Sequence, residues 1–495
     1  MASILPSAAT PTPDGDLEKA RVAARGGSLR ARRDWDRMTK LTAVAVVVLL
    51  GLWLTRKGLA GTAMRRAQQQ ARSQQHLVGF SETRLDDLPA ELRIAHNLPL
   101  DDLTGHSLLA HPTPTCRLNT FQQDRYAPLL PSYGSGRQRR RGREVSAHDQ
   151  PRHHLKYFIA INLYDSSSVI PSLVRALRTL LTSLGPTRFH VSIYENGSND
   201  TTPKQLYILA ALLKRLGAGF TIVSDAERPA GWEEGGRIEG LADLRNLALK
   251  PMYDAPPGTF DRVLFLNDVH LCEADLLELL FQHEVQSADM SCGMDFKALN
   301  IKEFEAEGYP LLFYDVWVAR DMEGLPFYDI KYPKGDWVLP SPVMPRSASR
   351  FRYDSLLPIQ VYSCFNGVAV LDASLFAPPH SLRFRSQNRT DIHSECYLLC
   401  SDIWKVLSPL NVDGSPNKHG RGARIQVVPR ASVGYEVDEY EAARKDRNTT
   451  AFEYDGAERA EQNEREMVEW EQWPPRLVTT YPYGHWDNQI SIPPF

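Results

Sequence analysis

The chain has 495 residues, 42% hydrophobic and 24% charged, an ordinary globular balance with length for one large domain or two smaller ones. Its 57 Lys and Arg against 60 Asp and Glu leave a net charge of −3, which removes the electrostatic basis for a nucleic-acid partner. Six cysteines without a CxxC pair argue against a structural zinc site and leave disulfide pairing open.

Residues 1–40 are rich in Ala, Pro, Ser and Arg and read as a disordered cytosolic tail. The run 41–54 carries no charge, and with Lys40, Arg56 and Lys57 snorkelling, residues 41–55 are expected to form an uncleaved transmembrane signal anchor. Seven Lys or Arg in 21–40 against five in 55–75 favour a cytosolic N-terminus. Asn-x-Ser/Thr acceptors at Asn196, Asn199, Asn388 and Asn448 support a lumenal location for the rest. Residues 56–154, first Gln- and Ala-rich and later Pro- and Ser-rich, with a basic run at 134–143, are expected to be a stem.

A catalytic domain is expected over 155–495. Residues 157–164 predict a strand ending in the capping cluster Asp165-Ser166-Ser167-Ser168. Pro171 in a first turn and Leu173, Val174, Leu177, Leu180, Leu181 and Leu184 at helical spacing predict a helix stopped by Gly185-Pro186. The pattern repeats: a strand at 189–194, a helix at 203–216, a strand at 220–223, an amphipathic helix at 237–250 and a strand at 261–266. Each strand is apolar and runs into polar residues, which predicts an α/β, Rossmann-like, mostly parallel sheet with a site along one edge. Further strands are expected at 289–296, 360–371 and 425–428, and a helix at 394–407; the aromatic, Pro-rich segment between the first two of these strands, up to Pro345, predicts no regular element.

The fourth strand ends in Asn267-Asp268-Val269-His270. Ligands of open α/β sheets gather outside the carboxyl ends of their strands. If the chain stays extended, Asp268 and His270 emerge on one side, and a carboxylate with an imidazole suits Mn²⁺ or Mg²⁺ with positions left for diphosphate oxygens. The structural alternative is that Asp268 caps the next helix and His270 is a surface residue.

The turn Glu195-Asn196-Gly197-Ser198-Asn199-Asp200-Thr201 resembles the nucleotide-binding turn of A-type glycosyltransferases. The resemblance implies nucleotide contacts from Glu195, Asn196 and Asp200, a diphosphate-proximal role for Arg245 and Asn246, and Asp268-Val269-His270 as an Asp-x-His form of the metal motif. A literal Asp-x-Asp is missing, because Asn267 precedes Asp268. Tyr194-Glu195-Asn196-Gly197-Ser198, Leu266-Asn267-Asp268-Val269, Cys292-Gly293-Met294-Asp295-Phe296, Phe313-Tyr314-Asp315-Val316-Trp317, Cys364-Phe365-Asn366-Gly367 and Ser394-Glu395-Cys396 together resemble the fungal capsule-associated α-1,3-mannosyltransferases, glycosyltransferase family 69.

That resemblance implies a single-pass type II Golgi membrane enzyme that transfers mannose from GDP-mannose to a mannose-containing glycan acceptor with retention of configuration. Glu395 and Asp295 are the candidate catalytic carboxylates, and Asp315 is placed at the acceptor hydroxyls with Trp317 as a stacking face. Lys418, Arg421 and Arg424 are candidate cationic contacts, and His393 and His485 candidate additional metal ligands. Two other readings remain at this point: a same-fold enzyme with another sugar-nucleotide donor, and a non-catalytic Golgi scaffold of polysaccharide synthesis.

Overall fold

A computed structural model describes residues 97–131, 152, 154–225, 236–298, 311–327, 343–344, 347–386, 393–411, 414–417, 420–446, 456–480 and 488–491. The expected tail and anchor, Asn388, Asn448, Lys418 and His485 lie outside the described residues. Within them, no helix is long and apolar enough to cross a membrane.

Two short helices come first, α1 (Leu100–Thr104) and α2 (Thr120–Tyr126). The expected alternation follows as β1 (Tyr157–Leu163), α3 (Ile170–Leu184), β2 (Phe189–Asn196), α4 (Thr202–Leu216), β3 (Gly219–Asp225), α5 (Arg237–Asp254), β4 (Arg262–Leu266), α6 (Glu273–Gln286) and β5 (Met290–Ala298). Then come β6 (Leu311–Phe313), α7 (Arg350–Asp354), β7 (Ile359–Gln360), β8 (Val368–Asp372), α8 (Glu395–Val406), β9 (Ile425–Gly434), α9 (Val437–Asp446), α10 (Gly456–Glu466), β10 (Leu477–Thr480) and β11 (Asn488–Ser491).

Nine strands form the main sheet, in the order β3-β2-β1-β4-β8-β5-β9-β7, with β6 paired to β5. β1 to β4 pair in parallel, while β8 runs antiparallel to both β4 and β5, so β5 and its parallel neighbour β9 point the same way as β4. The sheet is therefore mostly parallel, as expected. Its two faces are both covered: Tyr157, Ile159 and Ile161 pack with α3, α4 and α6, and Phe158 and Ala160 pack with α5 and α8. This double burial explains why the strand sequences show no polar alternation.

Two expectations change. The apolar stretch 360–371 does not make one strand. Asn366 and Gly367 take positive φ values of 53° and 77° and break it into β7 and β8, the left-handed geometry that Asn-Gly favours. The described part of the expected stem is not a solvated linker either. Leu103, Leu109, Tyr126 and Leu129 are buried in the core, and Cys116 is disulfide-bonded to Cys272.

Arg125 of α2 is held in a buried charge cluster. Its Nε donates to Glu278 at 2.7 Å and its Nη2 to Glu466 at 3.0 Å, and Arg430 Nη1 donates to Glu466 at 2.6 Å. Tyr126 adds its hydroxyl to Glu278 at 2.9 Å. Burial works against the Glu278 charge, but the Arg125 guanidinium prevails and holds its pKa below the ordinary range. A second disulfide, Cys292–Cys364, ties β5 to the loop before β8, while Cys396 and Cys400 are buried and free.

Candidate active site

The carboxyl ends of β1, β2, β3, β4 and β5 lie along one edge of the sheet. At the β2 end, Glu195 is buried, and its Oε1 accepts the Ser198 N–H at 2.5 Å while its Oε2 accepts the Ser224 hydroxyl. Asp200 accepts N–H bonds from Thr202 at 2.8 Å and Ser167 at 3.0 Å, and Asp165 accepts the Asn199 N–H at 2.7 Å. Burial raises the Asp200 pKa, but these hydrogen bonds outweigh it and bring it below its ordinary value. The turn is thus braced against the loop after β1, and Asn196 is buried at its base. Glu195, Asn196 and Asp200 do sit together on the expected edge.

Arg245 is the hub of the next part. Its Nε donates to Glu395 Oε1 at 2.9 Å and its Nη1 to Asn267 Oδ1 at 3.0 Å. Its guanidinium lies 5.1, 4.4 and 5.5 Å from the ring centroids of Phe265, Phe365 and Phe384. Glu395, first residue of α8, is buried, and its Oε2 has no hydrogen-bond partner. Ser394 caps that helix through the Tyr397 N–H at 3.2 Å, so the carboxylate stands at the positive end of α8.

Asn246 does not join this cluster. Its amide donates to the Phe384 carbonyl and accepts from the Phe384 N–H and the Tyr253 hydroxyl, at 2.8, 3.1 and 3.1 Å. Its donor and acceptor groups hold that loop against α5, so it is a structural residue rather than a diphosphate contact.

Asp295 is completely buried; its Oδ1 accepts the Asp315 N–H at 3.2 Å and its Oδ2 the Tyr435 hydroxyl at 3.0 Å. Burial and the neighbouring Asp315 push its pKa well up. Both oxygens are thus engaged away from solvent, and in this structure Asp295 holds Asp315 and Tyr435 in position. Asp315 is half-buried and accepts the Asn366 N–H at 3.1 Å. Burial drives its pKa up to about 6, with Glu395 adding and Asn366 and Arg245 opposing.

Asp268 is exposed at the end of β4, yet enough protein surrounds it that burial raises its pKa, against lowering by its own backbone N–H, Arg245 and Lys297. His270 departs from the expected arrangement. The Val269 N–H bonds to the Asn267 carbonyl at 3.0 Å, so the chain turns instead of staying extended. The His270 ring is buried, with Nδ1 2.8 Å from Ser172 Oγ on α3, the helix on the opposite face from α5. Burial lowers its pKa to about 4. No cluster of three ligating atoms among the described residues includes Asp268 or His270; the one found, Cys116, Cys272 and Glu273, contains a disulfide. The exposed Asp268 carboxylate is an oxygen donor of the kind a hard divalent ion takes, and the turn after Asn267 separates it from the buried His270 ring.

His393 stacks on Tyr397 at 4.0 Å, and its pKa is lowered to about 4 by burial and by the Arg320 charge. A cation beside it disfavours a metal. Arg421 and Arg424 are also displaced. Arg421 pairs with Asp289 at 2.6 Å and the Arg424 N–H donates to Asp289 at 2.8 Å, at the amino ends of β5 and β9 where Met290 pairs with Ile425. That is the sheet edge opposite the site. Trp317 is half-buried, with its Nε1 enclosed and without a hydrogen-bond partner.

Sequence reasoning missed Lys297, Tyr435 and the structural use of Asn366. The Lys297 ammonium lies 5.1 Å from the Tyr314 ring centroid and 5.4 Å from that of Tyr435. Asn366 Nδ2 donates to the Gly293 carbonyl at 2.8 Å, and the Gly367 carbonyl accepts the Asn267 N–H at 2.9 Å. A Cβ on Gly367 would lie 2.9 Å from Val433 Cγ2 and 3.2 Å from Val269 Cγ1, on a backbone with φ of 77°. Gly367→Ala is therefore expected to destabilise the protein by about 1–3 kcal/mol in urea unfolding. An unchanged midpoint would contradict this packing.

Residues 156–402 match the family described as Cryptococcal mannosyltransferase 1. The alpha-1,3-mannosyltransferase CMT1 of Cryptococcus neoformans is 31% identical over 386 residues, which cover 74% of this chain and 72% of that protein. Among solved structures, the mannosyltransferase PcManGT from Pyrobaculum calidifontis, in complex with GDP-Man and Mn²⁺, matches at 13% identity over 68% of each chain with a TM-score of 0.33. GalNAc-T7 with UDP, GalNAc and Mn²⁺ matches at 13% identity over 57% of this chain and 43% of its own, also at 0.33. At these TM-scores the assignment rests on the sequence relationship. The chain belongs to the cryptococcal mannosyltransferase 1 family, and it is a glycosyltransferase.

Proposed function

We propose that the protein transfers mannose from GDP-mannose to a hydroxyl of a mannose-containing glycan, forming an α-1,3 linkage with retention of configuration. The observation that carries this reading is Glu395, a buried carboxylate with one oxygen fixed by Arg245 and the other without a partner, beside the half-open Asp315. A buried carboxylate oxygen without a donor is costly in isolation, and a sugar hydroxyl or a developing positive charge satisfies it. The 31% identical relative named an alpha-1,3-mannosyltransferase supports the choice of sugar and linkage.

In this reading the braced turn at Glu195 takes the nucleotide and Asp268 holds Mn²⁺ or Mg²⁺. The ion would neutralise charge on the departing diphosphate. The acceptor oxygen bonds to the mannose C1 on the same face from which the diphosphate oxygen departs, so that the C1 bond to the diphosphate breaks with retention of configuration. Asp315, whose pKa of about 6 leaves it ionised at neutral pH, takes the hydroxyl proton. Glu395 faces the charge that builds on the sugar ring. The uncharged run at 41–54 supports a membrane anchor, and residence in the Golgi belongs to the same proposal.

The test is transfer from GDP-mannose to α-mannosides by the purified full chain, with and without Mn²⁺. Asp268→Asn is expected to lower metal-stimulated turnover about 10²–10³-fold. A variant with the wild-type metal response would remove Asp268 from the site. GDP binding without transfer from GDP-mannose would turn the reading to another donor, and failure with every donor to a scaffold.

A further inference from the structure

We propose that Tyr314 is the stacking platform for the acceptor sugar, holding the ring whose hydroxyl is oriented by Asp315. This deepens the proposed function and rests on it for the identity of the sugar. Tyr314 is 49% exposed, one of few large hydrophobic side chains so open among the described residues, and it directly precedes Asp315. An exposed aromatic usually moves freely. Tyr314 is instead held in place: its ring lies 4.6 Å from that of Tyr435 at 62°, and the Lys297 ammonium sits 5.1 Å from its centroid. Tyr435 is itself anchored to Asp295, and the Tyr314 N–H donates to the Asp295 carbonyl at 3.0 Å. The same buried residue thus fixes both the aromatic ring and the carboxylate next to it. A rigid, half-open ring beside a carboxylate suits a pyranose, which presents an apolar C–H face and hydroxyls at its rim.

Topology separates this ring from the donor. The nucleotide-type turn is at the end of β2, Asp268 is at the end of β4, and Tyr314 follows β6, which is paired to the carboxyl end of β5. Four strand spacings lie between β2 and β5, about 19 Å along the edge. A donor that runs from the turn to Asp268 brings its sugar toward β5 from one side. The acceptor enters from the β5 end, where Tyr314 stands, and its hydroxyl reaches C1 on the face that the diphosphate leaves.

Initial rates with acceptor varied at saturating GDP-mannose test this on the full chain, with GDP binding measured by calorimetry. Tyr314→Ala is expected to raise the acceptor KM about tenfold, with GDP affinity within about twofold of wild type. Tyr314→Phe restores the ring and with it the acceptor KM. Unchanged acceptor KM in Tyr314→Ala, or an equal loss of GDP affinity, overturns the proposal. Should GDP-mannose support no transfer at all, direct binding of an α-mannoside in the presence of GDP separates the two ideas. Binding weakened by Tyr314→Ala leaves the platform standing without the mannosyl-transfer reading, and binding indifferent to the ring removes the platform.

Discussion

Arg245→Met is expected to destabilise the protein by about 3–5 kcal/mol, read as a lower urea midpoint with an unchanged slope. The guanidinium satisfies Glu395 and Asn267 and stacks among three phenylalanines. Methionine fills much of that volume and leaves the Glu395 charge buried without a counter-ion. The loss therefore comes from the stranded carboxylate more than from packing. Arg245→Lys restores a charge but not the planar fork that reaches both partners, so only partial recovery is expected. Adding Glu395→Leu to Arg245→Met removes the stranded charge and should return part of the stability. A loss under about 1 kcal/mol in Arg245→Met would contradict this account of the pair.

Glu395→Gln tests the chemistry. The amide keeps the shape and can still accept from Arg245 Nε, but it leaves the buried guanidinium without its counter-ion, so the unfolding midpoint is expected to fall and transfer is compared at a temperature where the variant is folded. Transfer is expected to fall about 10²–10³-fold, because the side chain no longer opposes charge that develops on the sugar. GDP binding should be nearly unchanged, since no contact to the nucleotide turn is removed. A turnover within tenfold of wild type would move the main electrostatic role to Asp315.

The sheet was legible because its strands are buried on both faces. Runs such as Val263-Leu264-Phe265-Leu266 carry that information locally, and Gly and Pro mark the helix ends. Where a run hides a turn, apolar character misleads: Cys364 and Phe365 are buried, as strand residues would be, although Asn366-Gly367 interrupts the strand beside them and β8 takes a different place in the sheet from β7. In the site, Asp268, Arg245, Asp295, Asp315 and Glu395 were all named from motifs, and the structure gathers them. Their roles were less legible. Whether Asp295 meets solvent depends on Tyr435 arriving from β9, and Lys297 reaches the site only through β5 and its partners. These are pairings across long sequence separations. His270 was misplaced for a local reason, the turn at Asn267 to Val269, which no spacing rule detects.

The buried charges around Glu278 draw on helices from three distant parts of the chain: α2, α6 and α10. Arg125 and Glu466 are 341 positions apart, and each neutralises what the other end of the protein brings. A shortened enzyme that began at residue 155 would retain Glu278 and Glu466 with Arg430 but lose Arg125, and would also leave Cys272 without Cys116. The segment around Cys116 and Arg125 and the helix α10 act as a clasp that closes only when both are present. Soluble versions for crystallography or synthesis should therefore begin upstream of Cys116 and extend past α10.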